Sequence, residues 1–227
     1  MVEKLKSVLK TPKLRLGVKA LILALALYML PVWMAVFIAF ILYMRHPAFS
    51  LNFLGSLISL FIVFNALTIA GALSPIFISV FIAVLFYILL GVKNITFRHR
   101  LQAFFALLAV IIFTSLWGFF AGALSLLFVS TVVFLVCRDA LYSFMPLPNR
   151  SFLLALVSAF VVTQLSWAIF YLNIPVFWSV IVVFLIFASV LHLIIQHLRG
   201  ALFRSDAPFI AVAIVVATLA MMIMVAF

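Results

Sequence analysis

Acidic side chains are almost missing from this chain, whose 227 residues carry only 3 Asp and Glu against 14 Lys and Arg. Glu3, Asp139 and Asp206 all lie outside the five long apolar stretches. Intramembrane hydrolysis by paired acids, Asp-rich Mg²⁺ sites and carboxylate-based proton coupling all need residues the apolar stretches do not have. The serines lack a Gly-x-Ser-x-Gly context, so a nucleophile elbow is not expected either. Cysteine is a single residue, Cys137, which rules out an intramolecular disulfide and leaves the compartment unread. Polar insertions are also missing: none exceeds about a dozen residues, too short for a separate soluble domain. A resident metal and a cofactor are therefore not expected, and intramembrane catalysis is a disfavoured alternative.

What is present is hydrophobic: 70% of residues are apolar and the mean hydropathy is +1.53. The uncharged stretches are Ala20 to Met44, Pro47 to Val92, Leu101 to Cys137, Ser151 to Leu198 and Ala207 to Phe227, of 25, 46, 37, 48 and 21 residues. A hydrocarbon layer about 30 Å thick takes roughly 20 residues of helix, so the three longest stretches hold two spans each. A β-barrel needs alternating polarity, and runs such as Leu124 to Val129 do not alternate. The expectation is an all-α polytopic bundle of about eight to nine transmembrane helices, built from successive helical hairpins. Its boundaries are a basic cytoplasmic tail over 1–19 and a single transmembrane domain over 20–227. Within that domain the hairpins fall near 14–45, 50–92, 101–138 and 151–198, with a last helix over 207–227.

The hairpin turns are marked by residue type. Ala70-Gly71-Ala72-Leu73-Ser74-Pro75 divides one stretch, and Ala121-Gly122-Ala123-Leu124-Ser125 divides the next, 51 positions later. Asn173-Ile174-Pro175 divides the third. Ser before Pro is a favourable helix start, because the hydroxyl accepts from an orphan N–H and proline has no donor to leave unpaired. Phe53 with Phe104, Phe77 with Phe128, Ser79 with Ser130 and Trp117 with Trp167 recur near the same spacing. A duplicated hairpin produces this pattern, and so does independent recruitment of Gly, Ser, Asn and Pro to tight turns. Asp206 before Ala207-Pro208 reads as the cap of the last helix.

Charge sets the expected orientation. Arg45, Lys93, Arg98, Arg100, Arg138, Arg150, Arg199 and Arg204 lie in the linkers between hairpins, and the tight turns carry no charge. The positive-inside rule places these linkers in the cytoplasm, with the protein in the plasma membrane. Pro31 then has two readings. As a kink in one span it puts the N-terminal cations opposite the linkers; as the start of a second hairpin arm it gathers all 14 cations on one face. The charge distribution favours the second, with nine helices, the N-terminus inside and the C-terminus outside. The basic start followed by Ala20 to Leu30 imitates a secretory signal, but Val32 to Met44 stays apolar, so the segment is read as retained.

The segments Tyr87 to Ile95, Trp167 to Pro175 and His192 to Gly200 resemble a group of uncharacterised bacterial multipass membrane proteins, over roughly residues 80–227. The resemblance implies a helical membrane fold and no transferable activity. Members of the group carry acids at the places of Lys93 and Gln164, where this chain departs.

Candidate contacts are few. Thr163, Gln164, Ser166 and Trp167 form the most polar patch inside an expected span, with Asn65 and Thr68 a smaller one. Such groups serve as interhelical contacts, or, in the sharper reading, Asn65, Gln164, Trp167 and His192 touch an apolar small molecule. His192 and Gln196 stand one helical turn apart, but His197 lies about 140° round the helix from His192, so a metal pair is not expected. Gly118 and Gly122 fit a small-xxx-small pattern at a turn. Cys137, at a span end beside Arg138 and Asp139, reads as a buried thiol, with acylation the alternative. Lys4, Lys6, Lys10, Lys13, Arg15 and Lys19 are expected to contact anionic lipid headgroups. The partners are the bilayer and either a membrane protein or a second copy, and not nucleic acid, because the cations flank membrane spans. The expected function is a non-catalytic scaffold or partner of another membrane or envelope system, the alternative being binding or transport of a lipid or apolar small molecule.

Overall fold

The computed structural model describes residues 12–45, 53–71, 73–122, 124–144, 148–172 and 174–198, with the side chains at 144, 148, 197 and 198 left aside. Every regular element among them is a helix: α1 Pro12–Met29, α2 Val32–Met44, α3 Leu54–Ala70, α4 Pro75–Lys93, α5 Arg100–Phe120, α6 Leu126–Phe144, α7 Pro148–Tyr171 and α8 Val176–Leu198. The helix expected over 207–227, its cap Asp206, the turn residue Asn173 and the tail cations Lys4, Lys6 and Lys10 lie outside the described residues. Helices α4 to α8 each contain a segment long and apolar enough to cross a membrane, whereas α2 and α3, of 13 and 17 residues, are apolar but shorter. The chain is a helical membrane protein. The stretch expected as a tail over 1–19 is helical from Pro12.

The turns form where the sequence marks them. Gly71 ends α3 in the left-handed region at φ 61°, where its N–H donates to Thr68 O at 3.3 Å. Gly122 ends α5 at φ 79°, its N–H donating to Phe119 O at 2.9 Å. Glycine reaches that region without the Cβ clash that other residues meet. On the far side, Ser74 caps α4 by accepting from Phe77 N at 3.4 Å, and Ser74 O accepts from Ile78 N. Ser125 O accepts from Val129 N in the same register. The two turns thus share these backbone bonds at the 51-residue offset.

At Pro31 the chain reverses. Pro31 occupies the N-cap of α2 in extended conformation, φ −56° and ψ 145°, and its carbonyl accepts from Met34 and Ala35. Pro175 accepts from Trp178 and Ser179 in the same way. Proline fits a helix start because no N–H is lost there. Lys19 Nζ donates to Leu42 O at 3.0 Å. In one continuous span, residues 23 apart would lie about 35 Å from each other. The contact requires α1 and α2 to run antiparallel as a hairpin.

The chain divides into two compact units, residues 1–108 and 109–227, with the boundary inside α5. In the first, α1 packs on α2 and α4, and α4 packs on α3. Leu23, Tyr43, Leu60, Ile82 and Phe86 are among its buried side chains, and Phe53 meets Phe104 edge-on at 4.9 Å. In the second, the most extensive packing is α6 on α7, with α8 against both. The face of α7 turned inward is mostly small: Ser151, Ala155, Ser158, Ala159 and Ser166 are buried, with Val162 and Ile169 among them. Small side chains let helix backbones approach closely, the main source of helix association where solvent gives no hydrophobic drive. Opposite them α6 buries Val129, Val133, Val136, Cys137 and Ala140.

Candidate functional site

Two places in the structure carry polar chemistry. The first is the C-terminal end of α2. An α-helix leaves its last carbonyls without intrahelical donors. Here Arg45 N takes Ile41 O at 3.0 Å, Lys19 Nζ takes Leu42 O and Lys93 Nζ takes Tyr43 O at 2.8 Å. The Lys93 ammonium also lies 3.4 Å from the Tyr43 ring centroid. Positive charge at this end complements the helix dipole, and a cation over an aromatic face gains further when desolvated. Lys93 is buried, at 3% exposure, although it opens a basic linker. Lys19 is close enough to both Arg45 and Lys93 for mutual repulsion. Arg100 stacks over the Phe53 ring at 5.6 Å. The first unit therefore gathers Lys19, Arg45, Lys93 and Arg100 at one end of its helices. Of the expected headgroup contacts, Lys13 and Arg15 are exposed on the first turn of α1, while Lys19 is turned toward α2.

The second place is α7. Gln164 is exposed in the segment Asn149–Tyr171, and no described residue hydrogen-bonds it. Trp167, 49% exposed, meets Tyr171 edge-on at 5.3 Å. The hydroxyls around it are engaged by their own helix: Thr163 donates to Ala159 O and Ser166 to Val162 O. Beside this stripe an open groove of about 460 Å³ runs between α6 and α7. Phe134, Phe152, Leu156 and Phe160 supply its apolar walls, and Ser130, Thr131 and Thr163 its hydroxyls.

Searches against protein-family models, curated proteins and solved structures find no match. Function is read from the geometry alone.

The four expected small-molecule contacts are placed within their own units. Gln164 and Trp167 share a face of α7. His192 is exposed near the other end of α8, its Nε2 3.5 Å from Gln196 Nε2. Counted from the α7–α8 turn, Gln164 stands about 10 Å and His192 about 24 Å along the hairpin. Asn65, in the first unit, donates to Phe61 O at 2.9 Å. Cys137 is fully buried in α6, and Arg138 is exposed while Asp139 is buried. Among the described residues no three His, Cys, Asp or Glu side chains are grouped to hold a metal.

Three features escape a reading of the sequence: the Lys93 contact, the small inner face of α7 and its exposed outer stripe. The Ser151, Ala155, Ala159 spacing of four is the available signal for the second. The first joins residues 50 apart and has no local signature.

Proposed function

We propose that this chain is a non-catalytic multipass protein of the plasma membrane that acts as a scaffold, assembling with membrane-protein partners through an exposed helix face. The observation that carries this reading is Gln164, a carboxamide exposed within a membrane-spanning helix without a hydrogen bond among the described residues. Hydrocarbon offers no donor or acceptor, so an unpaired amide there is unfavourable, and a single interhelical hydrogen bond to it is worth about 0.6 to 2 kcal/mol. A neighbouring protein supplies what lipid does not. The basic end of the first unit faces the cytoplasm in this reading, as does the N-terminus, in a nine-helix topology with the C-terminus outside.

Extraction in mild detergent followed by chemical cross-linking tests the reading. Assemblies that weaken when Gln164 is replaced by Leu are expected. A lone monomer under all extraction conditions would overturn it.

The groove between α6 and α7 favours a second reading, binding of a lipid or other apolar small molecule. Its volume lies in the range of small-molecule sites, about 300 to 1,000 Å³. Photoactivatable lipid should label Phe152 or Leu156, and Leu156→Trp should block the labelling; labelling unchanged by that substitution would count against it.

A further inference from the structure

We infer that α7 is the self-association helix of this protein, two copies pairing along its exposed stripe with the Gln164 side chains hydrogen-bonded to each other. The inference rests on the scaffold reading and names its first partner.

Leu153, Val157, Phe160, Gln164, Trp167 and Tyr171 are all exposed. Their spacings are four, three, four, three and four. At 3.6 residues per turn these positions fall within an arc of about 80°. The buried residues Ala155, Ser158, Val162 and Ser166 occupy the opposite side. A spacing that averages about 3.5 is the seam of a left-handed helix pair, whose crossing near 20° is the common one between membrane helices. From Leu153 to Tyr171 the stripe runs about 27 Å, close to the full hydrocarbon thickness of about 30 Å. The stripe is therefore continuous across the layer, and Gln164 is set about 10 Å in from the turn end. A headgroup phosphate does not reach that depth.

The occupant follows from polar complementarity. A carboxamide has a donor edge and an acceptor edge, so it is complementary to another carboxamide and carries no net charge to repel its copy. All copies of a chain have the same orientation in the membrane, so two α7 helices meet in parallel and Gln164 faces Gln164 at equal depth. The apolar stretch over 207–227 offers only Thr218 as a polar side chain. Thr68, Thr114, Thr131 and Thr163 each donate to the carbonyl four residues earlier in their own helix, so a threonine hydroxyl is a poor donor to a neighbour in this fold. A single polar residue within an apolar seam also fixes register, since any slip leaves both amides unpaired.

Single cysteines placed in full-length Cys137→Ala protein, oxidised in native membranes, test the arrangement. Val157→Cys, Phe160→Cys and Trp167→Cys are expected to give disulfide-linked dimers, and Phe152→Cys and Phe170→Cys, off the seam on the same exposed helix, are not. Gln164→Leu should lower the dimer association constant about threefold to tenfold, the range of one interhelical hydrogen bond, and so lower the cross-linked dimer fraction, and Gln164→Asn should retain more of it. Equal cross-linking at all positions, or a dimer undiminished by Gln164→Leu, would overturn the inference. An internal link in Val157→Cys/Thr218→Cys would also overturn it, by giving the stripe to the chain's own last segment. Cross-links to a different protein would overturn the dimer and keep the scaffold reading, whereas an uncross-linked monomer would overturn both.

Discussion

The Lys93 ammonium is held between two parts of Tyr43, donating to its carbonyl at 2.8 Å and standing 3.4 Å from the centre of its ring. The pairing fastens the end of α4 to the end of α2 and takes up a terminal carbonyl that lies 50 residues away in sequence. Lys93→Met keeps the length of the side chain and removes both interactions. A hydrogen bond to a charged donor contributes about 1.5 to 3 kcal/mol, and the ring contact adds to it. The variant should unfold earlier on heating in detergent, measured against Arg98→Met, which removes a cation from the same linker and leaves both Tyr43 contacts in place.

Gly71→Ala and Gly122→Ala should destabilise by similar amounts, about 1 to 2 kcal/mol each, because both turns need the left-handed conformation and share one bonding register. Neither position is crowded, so backbone strain is the whole effect. Asn at either site should recover part of the loss. Thermal midpoints of the single and double variants check this, and a large inequality between the two sites would argue against equivalent turns.

Ile95 presents the converse case. It follows α4 at φ 56°, a non-glycine residue in the conformation that glycine usually takes, with Thr96 N donating back to Gly91 O. Ile is β-branched and 69% exposed, so little packing offsets the strain. Ile95→Gly should stabilise by about 1 kcal/mol, net of glycine's greater chain entropy. Thermal midpoints in detergent measure it, and a lowered midpoint would contradict the strain.

Gly91 leaves room for the Phe97 ring, which would have to shift to admit any side chain. A Cβ built there runs into the Phe97 ring, which also packs against Tyr87 at 5.7 Å. Gly91→Ala should cost about 1 to 3 kcal/mol, and Phe97→Leu in the same chain should return part of that stability. Melting curves of the two single variants and the double variant measure the coupling.

Accessibility tags at Leu73 and Ala123 should report one side of the membrane, and tags at Asn94, Pro146 and the N-terminus the other. The Lys19 to Leu42 bond runs α1 antiparallel to α2, with the first turn of α1 toward the end of α2, so the N-terminal tag is expected on the side of Asn94. Labelling of the N-terminal tag from outside intact cells would contradict the hairpin at Pro31 in the membrane.

The turns are legible in the sequence because each is made by local chemistry: Gly71 and Gly122 by their freedom to adopt positive φ, Ser74 by its capping hydroxyl, Pro31 and Pro175 by a missing donor. The direction of the chain at Pro31 is not local. Charge counting favours a reversal, and the contact between Lys19 and Leu42 supplies it. Which face of α7 is exposed is hidden for another reason, since spans that are apolar all round carry little moment to separate inside from outside. Lys93 reads as an ordinary linker cation because the carbonyl it fills belongs to a helix 50 residues earlier.

That separation sets an order of assembly. At about 5 to 20 residues per second on the ribosome, the end of α2 is made roughly 3 to 10 s before Lys93. Lys19 is already present to take Leu42 O, whereas Tyr43 O waits for α4 to be synthesised and inserted. The first two helices are therefore laid down as an unfinished pair, and the arrival of a single lysine completes them.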